Sequence, residues 1–301
     1  MDLTATSARF PLPGETIIGR GFVMVPGGKG ANQAVAAARQ GAGTAMIGRV
    51  GTDLFGDAIR GILDAESIDR RYVGSDRTVP TGIAQITVDG KGQNVIVVVP
   101  GSNNALSAKD VEGALRALGA PRALLTQLEI PIEVVRAALS AAEPGTTRIL
   151  NPSPASPLAD ELLALVDLCV PNEGEAASLT GLSVADVADA AEAASALRRR
   201  GCRAVVVTLG PRGSVYVDDS ESLHVPVFPV EAIDTVAAGD AYCGVLAAAL
   251  AAGLPIEQAL VRASAGGALA ATIAGATSSL PRTDAIDRLI ASNPAIVPAP
   301  I

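Results

Sequence analysis

An α/β fold is predicted for this 301-residue chain: a doubly wound, mainly parallel sheet with helices on both faces, plus a small β-sheet lid. Three features predict it. Helix-period and strand-period segments alternate along most of the length, the rhythm of βαβ units. Interior strands such as Ala204 to Val207 read as unbroken apolar runs, which suits strands covered on both faces. Two stretches carry strand patterns alone, and these supply the lid.

Taken in order, Thr16 to Val25 is the first strand-only stretch. Helix 31–41, strand 44–50 and helix 56–65 follow. Val79 to Val99 is the second such stretch, in which Ile83–Val88 and Val95–Val99 flank Asp89-Gly90-Lys91-Gly92, and Asp-Gly is a strong hairpin signal. The alternation resumes with helix 108–117, strand 122–127, helix 131–142 and strand 146–151. It continues through helix 158–166, strand 167–171, helices 173–180 and 184–200, and strand 204–209. Segments 213–218 and 223–228 read as a hairpin, and helices 239–252, 256–274 and 283–291 close the chain. One domain spans 1–301, with the lid at about 3–26 and 79–100; a plain β extension of the core is the other arrangement that these strands allow.

The composition removes several classes of function. Apolar residues make up 49%, enough for a sizeable core. Thirty-one acidic against 23 basic side chains give a net charge of −8, and the largest basic cluster is Arg198-Arg199-Arg200, so no nucleic-acid partner is expected. The longest apolar run, Val245 to Leu254, is about half the length needed to cross a membrane, so no membrane partner is expected either. Met1-Asp2-Leu3 lacks a secretory pattern, and the three scattered cysteines fit reduced thiols, so a cytoplasmic location is expected. His224 is the only histidine and sits in a strand pattern as a satisfied or exposed residue. A general base is therefore expected to be a carboxylate.

The run Asp234-Thr235-Val236-Ala237-Ala238-Gly239-Asp240-Ala241 sets small residues and a carboxylate where a helix begins. The N–H groups of Ala237, Ala238 and Gly239 would point outward at the positive helix end, which suits phosphate, and Asp240 could take a proton from a hydroxyl held there. Taken alone, such a turn also answers to close packing. A second run, Gly27-Gly28-Lys29-Gly30-Ala31-Asn32-Gln33-Ala34, again places glycines ahead of a helix. Gly28 and Gly30 would admit close backbone approach, and Lys29 is one of only three lysines. A P-loop is excluded, because Gly30 stands where its hydroxyl residue would be.

Together the two runs resemble the paired signatures of the ribokinase-like (PfkB) carbohydrate kinase family. Their wording is nearer the family's ribose kinases than its fructose or adenosine kinases. Pro13-Gly14-Glu15-Thr16, Gln127-Leu128-Glu129, Asn151-Pro152, Pro171-Asn172-Glu173 and Thr208-Leu209-Gly210 extend the resemblance over nearly the whole chain. It implies ATP-dependent phosphorylation of a sugar, with ribose lined by Asp2, Gly28, Lys29, Gly30, Ala31, Asn32 and Glu129, and with Asp240 as base. It implies a nucleotide site at Asn172, Thr208, Leu209, Gly210, Pro211, Arg212, Gly213 and Gly239. Ser264 stands where many members place a His or Asn beside the adenine. Glu175 would organise Mg²⁺ through water. Asp234, Val236, Ala270, Ile273, Gly275 and Ser279 would hold K⁺, and the lid would cover the sugar and pair with that of a second subunit.

One departure stands out. Family members open with an apolar strand in mid-sheet, ending in a Gly-Ser-x-Asn-x-Asp-like turn, whereas this chain starts where that turn finishes. Two neighbouring strands are then expected to be unpaired, and the written start is expected to be an internal methionine of a longer protein. Kinases for 2-deoxyribose or another small sugar or nucleoside are close competitors. A sugar-binding or regulatory homologue without turnover is the alternative from another class.

Overall fold

The computed structural model describes residues 1–301. The first third contains β1 (Asp2–Thr6), β2 (Gly21–Val25), α1 (Lys29–Ala38), β3 (Ala45–Gly51), α2 (Leu54–Ala65), β4 (Asp69–Asp76), β5 (Ile83–Val88) and β6 (Asn94–Val99). The middle contains α3 (Ala108–Leu118), β7 (Ala123–Thr126), α4 (Ile132–Ala141), β8 (Thr147–Leu150), α5 (Asp160–Leu163), β9 (Leu168–Cys169), α6 (Glu173–Thr180) and α7 (Val187–Arg199). The remainder contains β10 (Ala204–Thr208), β11 (Ser214–Val217), β12 (Ser222–Val225), α8 (Ala238–Ala251), α9 (Ile256–Ala270), α10 (Thr283–Ser292) and β13 (Ala299–Pro300).

The main sheet has the order β13-β12-β11-β10-β9-β8-β7, parallel from β7 to β10 and antiparallel beyond. Its central strands β9, β10 and β11 are buried on both faces, which explains the unbroken apolar run of β10. Val205 and Val207 pack with Leu163, Leu179 and Leu197 of α5 to α7, while Ala204 and Val206 pack with Cys243, Leu246 and Leu260 of α8 and α9. The strand-only stretches form a separate four-stranded sheet, β2-β1-β5-β6, with the expected hairpin between β5 and β6. β1 joins this small sheet, parallel to β5.

β3 and β4 make a two-stranded parallel sheet of their own. β3 pairs only with β4, and β7 only with β8, so one edge of each is unpaired. Between them lies a cavity of about 1090 Å³ whose walls include Met46, Gly48, Ala123, Leu125 and, from α8, Ala247 and Ala251. This is the gap expected in mid-sheet.

Several elements differ from expectation. β4 was not foreseen, because Asp69-Arg70-Arg71-Tyr72 masks the strand period with charge. Residues 16–20 of the first strand-only stretch form no strand, and β2 begins only at Gly21, where its pairing with β1 starts. The last predicted turn of helix 256–274 is absent, because the Ala271 carbonyl accepts from Ile233 and Asp234 and draws the chain out of the helix. β13 is a two-residue addition at the far edge, made only by its pairing with β12. No helix is long and apolar enough to cross a membrane.

Candidate active site

The site forms where α1 and α8 begin side by side. Gly28 precedes α1 with φ 95°, a region in which a side chain is strained. A Cβ on Gly27 would fall 2.1 Å from Asp2 Oδ2, so the turn lies directly on that carboxylate. The Lys29 N–H donates to Glu129 Oε2 at 2.9 Å, seating an anion at the positive end of α1.

α8 starts from Ala237, which adopts φ 60° and ψ 7°. For a residue with a Cβ that conformation costs roughly 1–3 kcal/mol and is the kind of strain found at ligand sites. It closes residues 235–238 into a turn in which the Ala238 N–H donates to the Thr235 carbonyl at 3.2 Å. Of the three donors expected to face outward, Ala238 is thus engaged. Those of Ala237 and Gly239, joined by that of Asp240, have no backbone acceptor.

α1 reaches α8 because Gly244 leaves room: a Cβ there would stand 2.5 Å from both the Ala36 Cβ and the Gln33 carbonyl. One helical turn earlier on the same face of α8 is Asp240. It is 7% exposed, and both its oxygens are held by α1: Oδ2 accepts from Asn32 Nδ2 and Oδ1 from Gln33 Nε2, each at 2.9 Å. Burial pushes the Asp240 carboxyl above its ordinary range, while the Lys29 charge and the two amides pull it back. Burial likewise raises Glu129, against the pull of the Lys29 N–H and charge. Asp2 is raised by burial and lowered by the Met1 amine.

Asp2, Gly28, Lys29, Gly30, Ala31, Asn32, Glu129, Ala237 and Asp240, distant in sequence, therefore line one cavity, continuous with the gap between β3 and β7. Three carboxylates around one ammonium, beside unpaired N–H donors, can bind a polyol and move a proton. Asn32 has further commitments: its Oδ1 lies 3.2 Å from the Thr277 hydroxyl.

The second group of candidates lies along the ends of β9 and β10. The Thr208 N–H donates to the Pro171 carbonyl at 3.0 Å, and Asn172 bridges Thr208, so the 208–213 loop runs beside the start of α6. Asn172 and Glu175 form a capping box, with Glu175 N–H on Asn172 Oδ1 and Asn172 N–H on Glu175 Oε2, both at 2.8 Å. Glu175 is buried, and the Cys243 thiol is pushed up by its own burial and by the negative charges of Asp240 and Glu175.

Within the loop, Leu209 is buried in the core, so only its backbone is available. Arg212 is turned away to Glu173 and the Ala185 carbonyl. Gly210 and Gly213 take positive φ, and Pro211 sits between them. Ser264 is buried and donates to the Pro226 carbonyl at 3.3 Å. His224 is satisfied as expected, its Nε2 2.8 Å from the Arg212 carbonyl.

No three His, Cys, Asp or Glu side chains cluster as a metal site. The donors present fit ions held by one carboxylate, carbonyls and water. Asp234 joins the two segments expected to hold K⁺, since its carboxylate accepts from Val236 N–H at 3.0 Å and Gly275 N–H at 2.9 Å. Ala270 and Ser279 are buried, with the Ser279 hydroxyl donating to the Ala276 carbonyl at 2.8 Å, whereas Ile273 is half exposed. Gln33, Gln127, Asn151 and Thr277 were not anticipated as site residues. The first three sit inside the motifs that carry the family resemblance, but nothing in the sequence marks Thr277.

The pfkB family carbohydrate kinase profile matches residues 1–283. Ribokinase of Haemophilus influenzae is 40% identical, with 90% of this chain and 89% of that protein covered. The bifunctional ribokinase/ribose-5-phosphate isomerase A of Fructilactobacillus sanfranciscensis is also 40% identical over 96% of this chain, which spans 54% of that protein's length. Deoxyribokinase of Salmonella typhi is 33% identical, with 97% and 96% covered. Among solved structures, Thermotoga maritima ribokinase superposes with a TM-score of 0.87 at 32% identity over 96% of each chain. Arabidopsis thaliana ribokinase complexed with ribose and ATP gives a TM-score of 0.85 at 31% identity, with 96% and 95% covered. The chain belongs to the pfkB family of carbohydrate kinases.

Proposed function

We propose that this chain phosphorylates D-ribose at its primary hydroxyl, with ATP as donor and Asp240 as general base. The observation that carries the reading is the buried Asp240 carboxylate, fixed by two amides beside unpaired N–H donors in the same cavity as Asp2, Lys29 and Glu129. Asp2 and Glu129 accept from sugar hydroxyls, and Gly28 to Asn32 line the ring. Asp240 accepts the proton of the primary hydroxyl as its oxygen bonds to the γ-phosphorus and the bond to the bridging oxygen of ADP breaks. The free N–H groups of Ala237 and Gly239 meet the developing charge, an effect of about 3–4 kcal/mol per well-placed donor.

Asn172 and the Thr208–Gly213 loop supply the nucleotide side, and Ser264, its hydroxyl already committed, offers the adenine a small apolar neighbour. Glu175 would hold Mg²⁺ through water, and that ion would neutralise phosphate charge. Asp234 with the carbonyls of Val236, Ala270, Ile273, Gly275 and Ser279 would hold K⁺.

The small sheet acts as the lid. Val95 to Val99 of its edge strand and Phe22 and Met24 are exposed, which favours a homodimer in which two lids pair. The reading also places the protein in the cytoplasm, where its three buried free thiols stay reduced.

ADP release with Mg²⁺-ATP and ribose, 2-deoxyribose, fructose or adenosine, with and without K⁺, tests the reading. Ribose-dependent turnover that Asp240→Asn lowers by roughly 10²- to 10⁴-fold supports it. A preference for 2-deoxyribose would move the assignment to the class of the Salmonella relative. Sugar binding without turnover would identify a non-catalytic homologue.

A further inference from the structure

The base is joined to the sheet by a chain of amides. Gln33 is 1% exposed, and both hydrogens of its Nε2 are used, one on Asp240 Oδ1 at 2.9 Å and one on Asn151 Oδ1 at 3.1 Å. Its Oε1 accepts from Gln127 Nε2. Asn151 is fixed in turn, because its Nδ2 donates to the Val170 carbonyl at 2.8 Å. The orientations form one consistent set. The Val170 carbonyl requires the Asn151 amide nitrogen, which turns Asn151 Oδ1 towards Gln33 and so requires the Gln33 nitrogen on that side. A flipped Gln33 would set its oxygen against two acceptors and leave the Gln127 donor unmatched, a heavy cost for buried groups.

We propose that Gln33 is a positioning residue for the phosphoryl-transfer step: its braced amide aims the Asp240 carboxylate at the sugar hydroxyl, with Asn151 and Gln127 holding Gln33 from behind. This rests on the assignment of Asp240 as base. Asn32 fixes the other carboxylate oxygen and is itself held through the Thr277 hydroxyl, whereas Gln33 is held by two side chains, one of which, Asn151, is tied to the Val170 carbonyl at the end of β9. The charged and titratable groups that face Asp240 are Lys29 from α1, Asp2 from β1, Glu129 after β7 and the Cys243 thiol from α8. The Thr277 loop contributes none.

Gln33→Met removes the amide at nearly constant volume. The expected result is a fall in kcat of about 10- to 100-fold and a rise of about one to two pH units in the acid limb of kcat, matching the loss of one hydrogen bond to a charged group. The sugar KM is expected to change little. An unmoved acid limb, or an unchanged kcat, would overturn the proposal and leave Gln33 as a packed polar residue. If Gln33→Met does not fold, Gln127→Leu carries the test. It frees Gln33 Oε1 from the cavity side, and the same upward move, smaller in size, is expected; no move overturns the proposal. Asp240→Asn is measured in parallel. If it retains turnover, the base assignment fails; if it is inactive while Gln33→Met behaves as the wild type, only the positioning role fails.

Discussion

The contact at Gly244 gives the sharpest test of how helix packing makes this site. Adding one methyl there places a Cβ 2.5 Å from the Ala36 Cβ and 2.5 Å from the Gln33 carbonyl, where ordinary contact begins at 3.4 Å. Both obstacles are parts of α1 rather than the ends of flexible side chains, so α1 must move off α8 by about 0.9 Å. The Asn32 and Gln33 bonds to Asp240, now 2.9 Å each, would lengthen to about 3.8 Å, beyond hydrogen-bonding distance. Overpacking of this kind costs about 1–3 kcal/mol, and a misplacement near 1 Å in a catalytic group costs on the order of 100-fold in rate. Gly244→Ala is therefore expected to lower kcat by roughly two orders of magnitude and stability by about 1–3 kcal/mol. Steady-state kinetics and urea denaturation measure the two effects. A variant with wild-type kcat and an unchanged midpoint would refute the claim that α1–α8 contact sets the geometry of Asp240, the proposed base.

Three further outcomes follow from the same structure. Gly28→Ala forces a side chain into φ 95°, so a loss of about 1–3 kcal/mol is expected, together with a raised sugar KM as the Lys29 N–H leaves Glu129; an unaltered KM counts against the turn's role. Glu129 has its carboxyl raised by burial, so its ionisation works against folding: the contribution is favourable below the ordinary carboxylate range and lost as pH rises through the raised folded value. Glu129→Gln should accordingly stabilise the ligand-free protein at pH 7, with the gain fading towards pH ~4, while weakening sugar binding; equal destabilisation at both pH values contradicts this. Amide hydrogen exchange should be faster for the cavity-facing amides of β3 and β7 than for those of β10, which is paired on both sides, and equal protection would show that the unpaired edges are closed in solution.

The alternating pattern was legible because each βαβ unit writes its own period into the chain, and the unbroken apolar run of β10 reported burial on two faces before any packing was visible. The hairpin at Asp89-Gly90 was equally local. β4 was not legible, since its charged residues are tolerated only because it lies at the free edge beside β3. Candidate residue types were legible: Asp240 at a helix start and glycines ahead of α1, with the sugar-facing carboxylates implied by the family resemblance. Their arrangement was not. Ala237 entering a left-handed turn, Ala238 spending its donor on Thr235, and Arg212 turning to Glu173 depend on neighbours that no local pattern specifies. The amide chain from the Val170 carbonyl through Asn151 and Gln33 to Asp240 joins residues as far as 207 positions apart. Sequence thus determined which elements form and which groups could react, because periodicity and residue chemistry are local. Only the tertiary structure decided which of those groups meet, because buried hydrogen bonds and close helix contacts are settled by the packing of distant segments.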